Sequence, residues 1–292
     1  MPDQVREIAL ITNPTAGRGK GGRAREAALT RLRDSGLVVR NLAGRDAGEA
    51  LDLARQCVAE GVEALVVCGG DGMVNLGVQA VAGTSTALGI IPAGTGNDVA
   101  RYFDLPRTDP VAAAGLVVDR LADGRTRTVD LARSGGKYFV TVMAAGFDAI
   151  VNERANRMTW PKGQMRYNIA TLAELRTFRP LAYTLDLDGQ QRRLDAMLVA
   201  IGNGPSFGGG LRITEGALLD VVIIKPMSKA GLVRTYPKLF KGTHVTHPQY
   251  EHHRVRSVTV AAPGIVAYAD GERFGALPVT VECVPGALNV LS

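Results

Sequence analysis

Short apolar runs alternate with segments of helical periodicity through about the first 125 positions. That rhythm predicts βαβ units on a parallel sheet. Ile8-Ala9-Leu10-Ile11 reads as the first strand, followed by a glycine-rich loop and a basic helix through Arg33. Leu37-Val38-Val39 reads as a second strand, and residues 47–60 as a helix. Ala64-Leu65-Val66-Val67-Cys68 is apolar at every position, as a strand covered on both faces must be. Leu88-Gly89-Ile90-Ile91 is another such run, ending at Pro92.

The rhythm changes after Gly124. Residues 126–131 and 138–143 read as strands, and 164–178 as a helix. Residues 181–187, 196–201, 218–224, 255–261, 265–268 and 279–284 then read as strands of an antiparallel layer. The expected fold class is therefore α/β in two domains. Residues 1–125 form a mainly parallel domain, and 126–292 a β-rich one, with residues 284–292 returning to the first. A cleft between two such domains is the default ligand site.

Composition narrows the picture. A hydrophobic share of 46% excludes a disordered chain. No run approaches the roughly 18 apolar residues that cross a bilayer. The first residues lead into a strand without signal-peptide features, so a cytoplasmic protein is expected. Cys57, Cys68 and Cys283 have no CxxC spacing and read as reduced, non-catalytic thiols. The net charge of +6 suits an anionic partner, whether nucleotide, nucleic acid or acidic membrane. No nucleic-acid recognition motif accompanies it, so nucleic acid is set aside.

Candidate chemistry sits in three glycine-rich turns, each between a strand and a helix. In the first, Asn13-Pro14-Thr15-Ala16-Gly17 continues so that Gly17, Gly19 and Gly22 satisfy G-x-G-x-x-G. A dinucleotide site would want an acid after the second strand, where Val39-Arg40-Asn41-Leu42 has none, although Arg40 would suit a 2′-phosphate. The second turn is Gly69-Gly70-Asp71-Gly72. Its glycines let a phosphate approach backbone amides at a helix N-terminus. Asp71 there acts either through a metal ion or as a plain N-cap. The third is Pro92-Ala93-Gly94-Thr95-Gly96-Asn97-Asp98. Three such turns at strand ends of one sheet indicate a phosphate-binding rim.

This ordered set resembles the catalytic region of the diacylglycerol kinase family, which includes soluble bacterial lipid kinases and sphingosine kinases. The likeness continues through Ala145-Gly146-Phe147-Asp148, Asn203-Gly204, Leu218-Leu219-Asp220-Val221 and Asp270-Gly271-Glu272, over essentially the whole chain. The resemblance implies a doubly wound N-terminal domain that binds ATP with Mg2+, and a C-terminal β-sandwich domain for a lipid substrate. It implies transfer of the ATP γ-phosphoryl group to a diacylglycerol hydroxyl, with Glu272 as general base and Asp71 in the catalytic centre. It also implies peripheral work at the inner membrane face, and is compatible with a homodimer. Kinases of other lipids, NAD kinases (which share the Gly-Gly-Asp-Gly turn) and a catalytically weak nucleotide-binding regulator are the alternatives. Read without the family, Asp270-Gly271-Glu272 is a hairpin turn with solvated acids.

Two departures stand out. Met73 replaces the threonine that usually follows Gly-Gly-Asp-Gly, and the segment before Asp220 is short, which puts a magnesium site on Asp220 in doubt. Residues 154–167 interleave Arg154, Arg157, Lys162 and Arg166 with Met158, Trp160, Met165 and Tyr167. This stretch reads either as a membrane-docking segment or as a solvated loop with Trp160 capping the core. Residues 229–241 form a second basic segment. His244, His247, His252 and His253 read as one loop, with zinc as a minor alternative.

Overall fold

The computed structural model describes residues 6–12, 20–94, 96–161, 164–203, 218–228, 231 and 248–292. The chain divides into two compact units, the first running through Leu131 and including Pro285–Ser292, the second being Ala132–Val284.

Unit 1 carries β1 (Glu7–Thr12), α1 (Lys20–Arg33), β2 (Val38–Leu42), α2 (Ala47–Ala59), β3 (Ala64–Gly69), α3 (Asp71–Val81), β4 (Ala87–Pro92), α4 (Asp98–Tyr102) and α5 (Pro110–Asp123). Strands pair in parallel in the order β2-β1-β3-β4. The order reverses between β1 and β3, and the carboxyl ends beside such a switch point are where open α/β sheets bind ligands. Alternation divides the sheet between two helix layers. Ile8, Leu10, Val66 and Ile91 pack with Ala28 and Leu32 of α1 and Ala113, Val117 and Leu121 of α5. On the other side a methyl group on Gly77 of α3 would stand 2.7 Å from Val67 Cγ1, so that glycine lets α3 lie close to the strands. Helix ends are locally encoded. Asp46 caps α2 by accepting the Glu49 amide, and α5 starts with Asp109 and Pro110 and stops at left-handed Gly124.

The remaining elements are β5 (Arg127–Ser134), β6 (Lys137–Phe139), β7 (Val142–Gly146), α6 (Phe147–Arg157), α7 (Gln164–Thr177), β8 (Leu181–Leu187), β9 (Gln190–Ala196), β10 (Leu198–Gly202), β11 (Leu219–Ile224), β12 (Tyr250–Val255), β13 (Ser257–Ala261), β14 (Val266–Ala269), β15 (Glu272–Ala276) and β16 (Val279–Val290). In unit 2 a six-stranded antiparallel sheet runs β12-β11-β10-β7-β14-β15. Val199, Ile201, Val221 and Ile223 pack against Leu185, Val258 and Val281 of the other sheet, whose strands β16-β13-β8-β9 are antiparallel. The alternate residues Leu198, Ala200, Val222 and Ile224 pack on Phe147, Val151 and Ala155 of α6 and Ala170 and Leu175 of α7. Both faces of β10 and β11 are thus covered, which is why these strands are apolar but for Asp220 of β11.

Several boundaries differ from expectation. The single strand read over 138–143 is two, β6 and β7, and the one read over 255–261 follows a separate polar strand, β12. Helix α6 emerges where none was read. Among the described residues no helix is long and apolar enough to cross a membrane.

Candidate functional site

The parallel pairing of β3 with β4 sets Gly69 opposite Pro92, so the two glycine turns leave the sheet side by side. They are joined backbone to backbone. The Ala93 amide donates to the Gly69 carbonyl at 2.8 Å. A methyl group on Gly94 would stand 2.5 Å from Gly70 Cα, closer than any side chain tolerates. Gly69 is constrained from another side, since a methyl there would meet Met73 Cγ at 2.5 Å. Met73, the first departure from the family pattern, therefore lies back against the end of β3.

Two side chains complete the junction. Buried Asn97, left-handed at φ 53°, accepts the Gly94 amide through Oδ1 and donates from Nδ2 to the Gly94 carbonyl, both at 3.1 Å. Asp71, first residue of α3, does not cap its own helix, whose N-cap is Gly70 with no side-chain bond. Its Oδ1 instead accepts the amides of Asp98 (2.7 Å) and Val99 (3.3 Å) at the start of α4. Burial pushes the Asp71 carboxyl above the ordinary aspartate range, and the nearby charge of Asp98 adds to this, against the backbone bonds it accepts. A methyl group on Gly96 would meet Asp71 Oδ2 at 2.8 Å and Asp98 Oδ2 at 3.7 Å, so both carboxylates face the space over that glycine. Gly72 lies exposed in the first turn of α3. Asn13, Pro14, Thr15, Ala16, Gly17 and Thr95 lie outside the described residues. Arg40, weighed above for a 2′-phosphate, is held by the carboxylates of Glu7 and Glu60.

In unit 2, Asp270 (φ 49°) and Gly271 (φ 82°) form the two-residue turn between β14 and β15. Both central residues are left-handed, which is the hairpin geometry that Asp-Gly favours. The turn is not a pair of solvated acids. Asp270 is buried and accepts the amides of Val140 (2.7 Å) and Thr141 (2.8 Å) and the Thr141 hydroxyl (2.6 Å). Burial pushes its carboxyl upward despite these bonds. Asn203 holds the same segment, donating from Nδ2 to the Val140 carbonyl at 3.1 Å. Glu272, by contrast, is exposed at the first position of β15. The adjoining Arg273 pairs at 3.2 Å with Glu153 of α6, which also accepts the Tyr268 hydroxyl at 2.9 Å. Those bonds, the Tyr268 hydroxyl first, hold the Glu153 carboxyl below its usual range. The roles of Glu153 and Thr141 have no signal in the sequence, because Tyr268, Arg273 and Asp270 lie more than a hundred positions away; only the Arg157 pair of Glu153 is local. A cavity of about 460 Å³ is lined by Ile150, Met158, Ile265 and Val266 together with the paired Arg154–Glu174 and Arg157–Glu153.

Asp220 is buried on β11, where His252 Nε2 meets its Oδ1 at 2.7 Å and Arg254 approaches at 3.8 Å. It shares a register line with Gly202 and Val142, and Val142 accepts the Asp270 amide. Three strand spacings, roughly 14 Å, thus separate Asp220 from the Asp270 turn. His252 and His253 lie on β12, not in a loop, and face different acids, Asp220 and Glu251. His244 and His247 lie outside the described residues. Among the described residues no three His, Cys, Asp or Glu side chains cluster as a metal site would require.

Residues 7–134 match the family model described as the diacylglycerol kinase catalytic domain, and residues 141–292 match the YegS C-terminal NAD kinase beta sandwich-like domain. The chain is 45% identical to a diacylglycerol kinase of Mycobacterium tuberculosis, over 99% of this chain and 96% of that protein. It is 25% identical to a diacylglycerol kinase of Bacillus subtilis, over 94% and 92%. A crystal structure of a diacylglycerol kinase from Bacillus anthracis superposes with a TM-score of 0.76 at 24% identity, covering 99% of this chain and 97% of that one. An NAD kinase from Archaeoglobus fulgidus in complex with ATP superposes with a TM-score of 0.54 at 13% identity, covering 98% and 93%, a likeness of fold alone.

Proposed function

The chain belongs to the diacylglycerol kinase family, and from that premise we propose that it transfers the γ-phosphoryl group of ATP to the hydroxyl of diacylglycerol, giving phosphatidic acid. The observation that carries the nucleotide half is the locked pair of turns at Gly69–Gly70 and Gly94–Asn97, with glycine backbone at the switch-point end of the sheet. Backbone without side chains, beside an α3 N-terminus that no side chain caps, suits a polyphosphate.

Phosphoryl transfer has a loose transition state, so positioning and charge neutralisation supply most of the rate. The residues present fit a magnesium ion, because Asp71 and Asp98, whose Oδ1 atoms are taken by backbone amides and by Arg101, both turn Oδ2 toward Gly96, and the cation usually takes one or two carboxylates plus substrate phosphates and water. Asp71 and Asp98 would hold it, and the ion would neutralise phosphate charge. Asp220, already engaged by His252 and Arg254, is a poor ligand for that purpose. Glu272 orients the acceptor hydroxyl and takes its proton as the bond to phosphorus forms. Thr141 and Asn203 position Glu272 indirectly, by fixing the segment on which the Asp270 turn is anchored. The cavity, with Ile150, Met158, Ile265 and Val266 beside the Arg154–Glu174 and Arg157–Glu153 pairs, is suited to the boundary between a lipid's chain and its polar end. The protein would work in the cytoplasm, peripherally at the inner membrane face.

The test is direct. The purified protein is given labelled ATP, magnesium and micelles containing diacylglycerol, phosphatidylglycerol or a sphingoid base, with NAD in a parallel arm. Label in phosphatidic acid is the expected result; label in NAD and in no lipid overturns the proposal.

A further inference from the structure

We propose that Glu153 of α6 is a positioning residue for phosphoryl transfer, holding the β14–β15 hairpin so that Glu272 meets the acceptor hydroxyl in one orientation. The inference rests on the reading of Glu272 as the base. In that step the hydroxyl oxygen bonds to the γ-phosphorus, the bond from that phosphorus to the ADP oxygen breaks, and the proton passes to the Glu272 carboxylate. The rate then depends on where that carboxylate sits, and its own backbone holds it loosely. Strand β15 is an edge of the six-stranded sheet and, among the described residues, has a ladder on one side only. That ladder is irregular: pairing shifts from Ala267–Gly275 to Tyr268–Arg273, which leaves Phe274 as an extra residue. Glu272 stands two positions from this shift, paired with Ala269 across the turn.

Side chains supply what the ladder lacks. Glu153 Oε1 accepts the Tyr268 hydroxyl at 2.9 Å and Arg273 Nε at 3.2 Å, which are the two residues of the pair next to Ala269 and Glu272. Asn156 of the same helix donates to the Tyr268 hydroxyl at 3.3 Å, and Arg157 donates to Glu153 Oε2 at 3.1 Å. Successive residues of a strand alternate faces, so with Arg273 drawn to α6, Glu272 and Phe274 lie on the other face. There Phe274 packs edge-on against Phe139, with ring centroids 6.0 Å apart. The strand is thus gripped from both faces within two residues of Glu272. Arg273 and Arg157 are 60% and 81% exposed, and ion pairs so open to water contribute little to stability. What they supply is direction.

The test separates this role from a structural one and from the base itself. On the intact protein, kcat, KM for ATP and for diacylglycerol, and Tm are measured for Glu153→Ala, Glu153→Gln and Tyr268→Phe. Glu153→Ala and Tyr268→Phe should each lower kcat about tenfold, as small misplacements of a reacting group do, with KM for ATP and Tm little changed. Glu153→Gln keeps an oxygen for both donors and should recover most of kcat. In a Glu272→Gln background neither Glu153→Ala nor Tyr268→Phe should slow the residual rate further, because no base is left to aim. If Glu153→Ala does not fold, Tyr268→Phe carries both comparisons. Unchanged kcat in Tyr268→Phe, a loss confined to KM, a fall in its Tm that accounts for the lost activity, or an equal loss repeated in the Glu272→Gln background would each overturn the proposal. Full activity of Glu272→Gln by itself would instead overturn the base, and this role with it.

Discussion

Gly94 stands where even one added carbon cannot fit, because the neighbouring wall is Gly70 backbone and not a movable side chain. Gly94→Ala should therefore force the two turns apart, costing about 1–3 kcal/mol in denaturant unfolding. ATP binding measured by calorimetry should fall with it; unchanged affinity would separate this junction from the nucleotide. At Asp71, substitution distinguishes two duties. Asp71→Asn keeps an oxygen for the Asp98 and Val99 amides, while Asp71→Ala removes it and should cost roughly 1 kcal/mol, as loss of a cap does. Both lose the charge, so both should lose most of the magnesium-dependent activity. Glu272→Gln should lower kcat about a hundredfold or more with ATP affinity retained, and full activity would remove Glu272 from the mechanism. The glycines of these turns were legible because their spacing after apolar runs is a local pattern. The partner of Asp71 was not, since the amides it holds lie 27 and 28 positions along the chain. For the same reason Asp270 read as solvated, although its donors come from residues 140–142.

Elements followed the same division. Strands buried on both faces, such as β3 and β10, announce themselves as unbroken apolar runs. Polar strands do not: β12 reads Tyr-Glu-His-His-Arg-Val and β9 begins Gln-Gln-Arg-Arg. Helix α6 carries Phe147, Ile150 and Val151 at helical spacing, but its polar remainder and the motif it overlaps hid the period. Beyond its antiparallel ladder with β11, β12 is held by charge. Glu251 takes the Lys225 ammonium at 2.7 Å, His253 at 2.6 Å and the Arg192 guanidinium. Burial alone would raise its carboxyl, but these bonds bring it from 4.5 down to about 2. An acid depressed in the folded state contributes stability that is complete above its unfolded value and lost as pH falls toward the folded one. Parent and Glu251→Gln should therefore differ most in Tm near neutral pH, with the gap closing below about pH 4.5. A gap that is constant down to pH 3 would show that Glu251 contributes nothing through its charge.

At the scale of the whole molecule, unit 1 is built from two separate stretches of chain. Leu288 and Leu291 are fully or nearly fully buried, Val290 pairs with Leu88 of β4, and the Leu291 amide donates to the Leu88 carbonyl at 3.0 Å. The Gly83 amide donates to Ala287, and the Ser292 carbonyl accepts from Arg120 Nε. Leu288→Ala should consequently destabilise unit 1 by about 2–5 kcal/mol, seen as a lower denaturant midpoint and weaker ATP binding. Loss of stability with ATP affinity intact would mean that this strand does not support the nucleotide turns. The closing strand also sets an order of events on the ribosome. The glycine turns are translated early, but their sheet lacks a member until residues 285–292 have been made, after all of unit 2. A nascent chain paused within unit 2 would carry those turns on an unfinished sheet, so competence for nucleotide should follow the synthesis of unit 2 although the turns precede it.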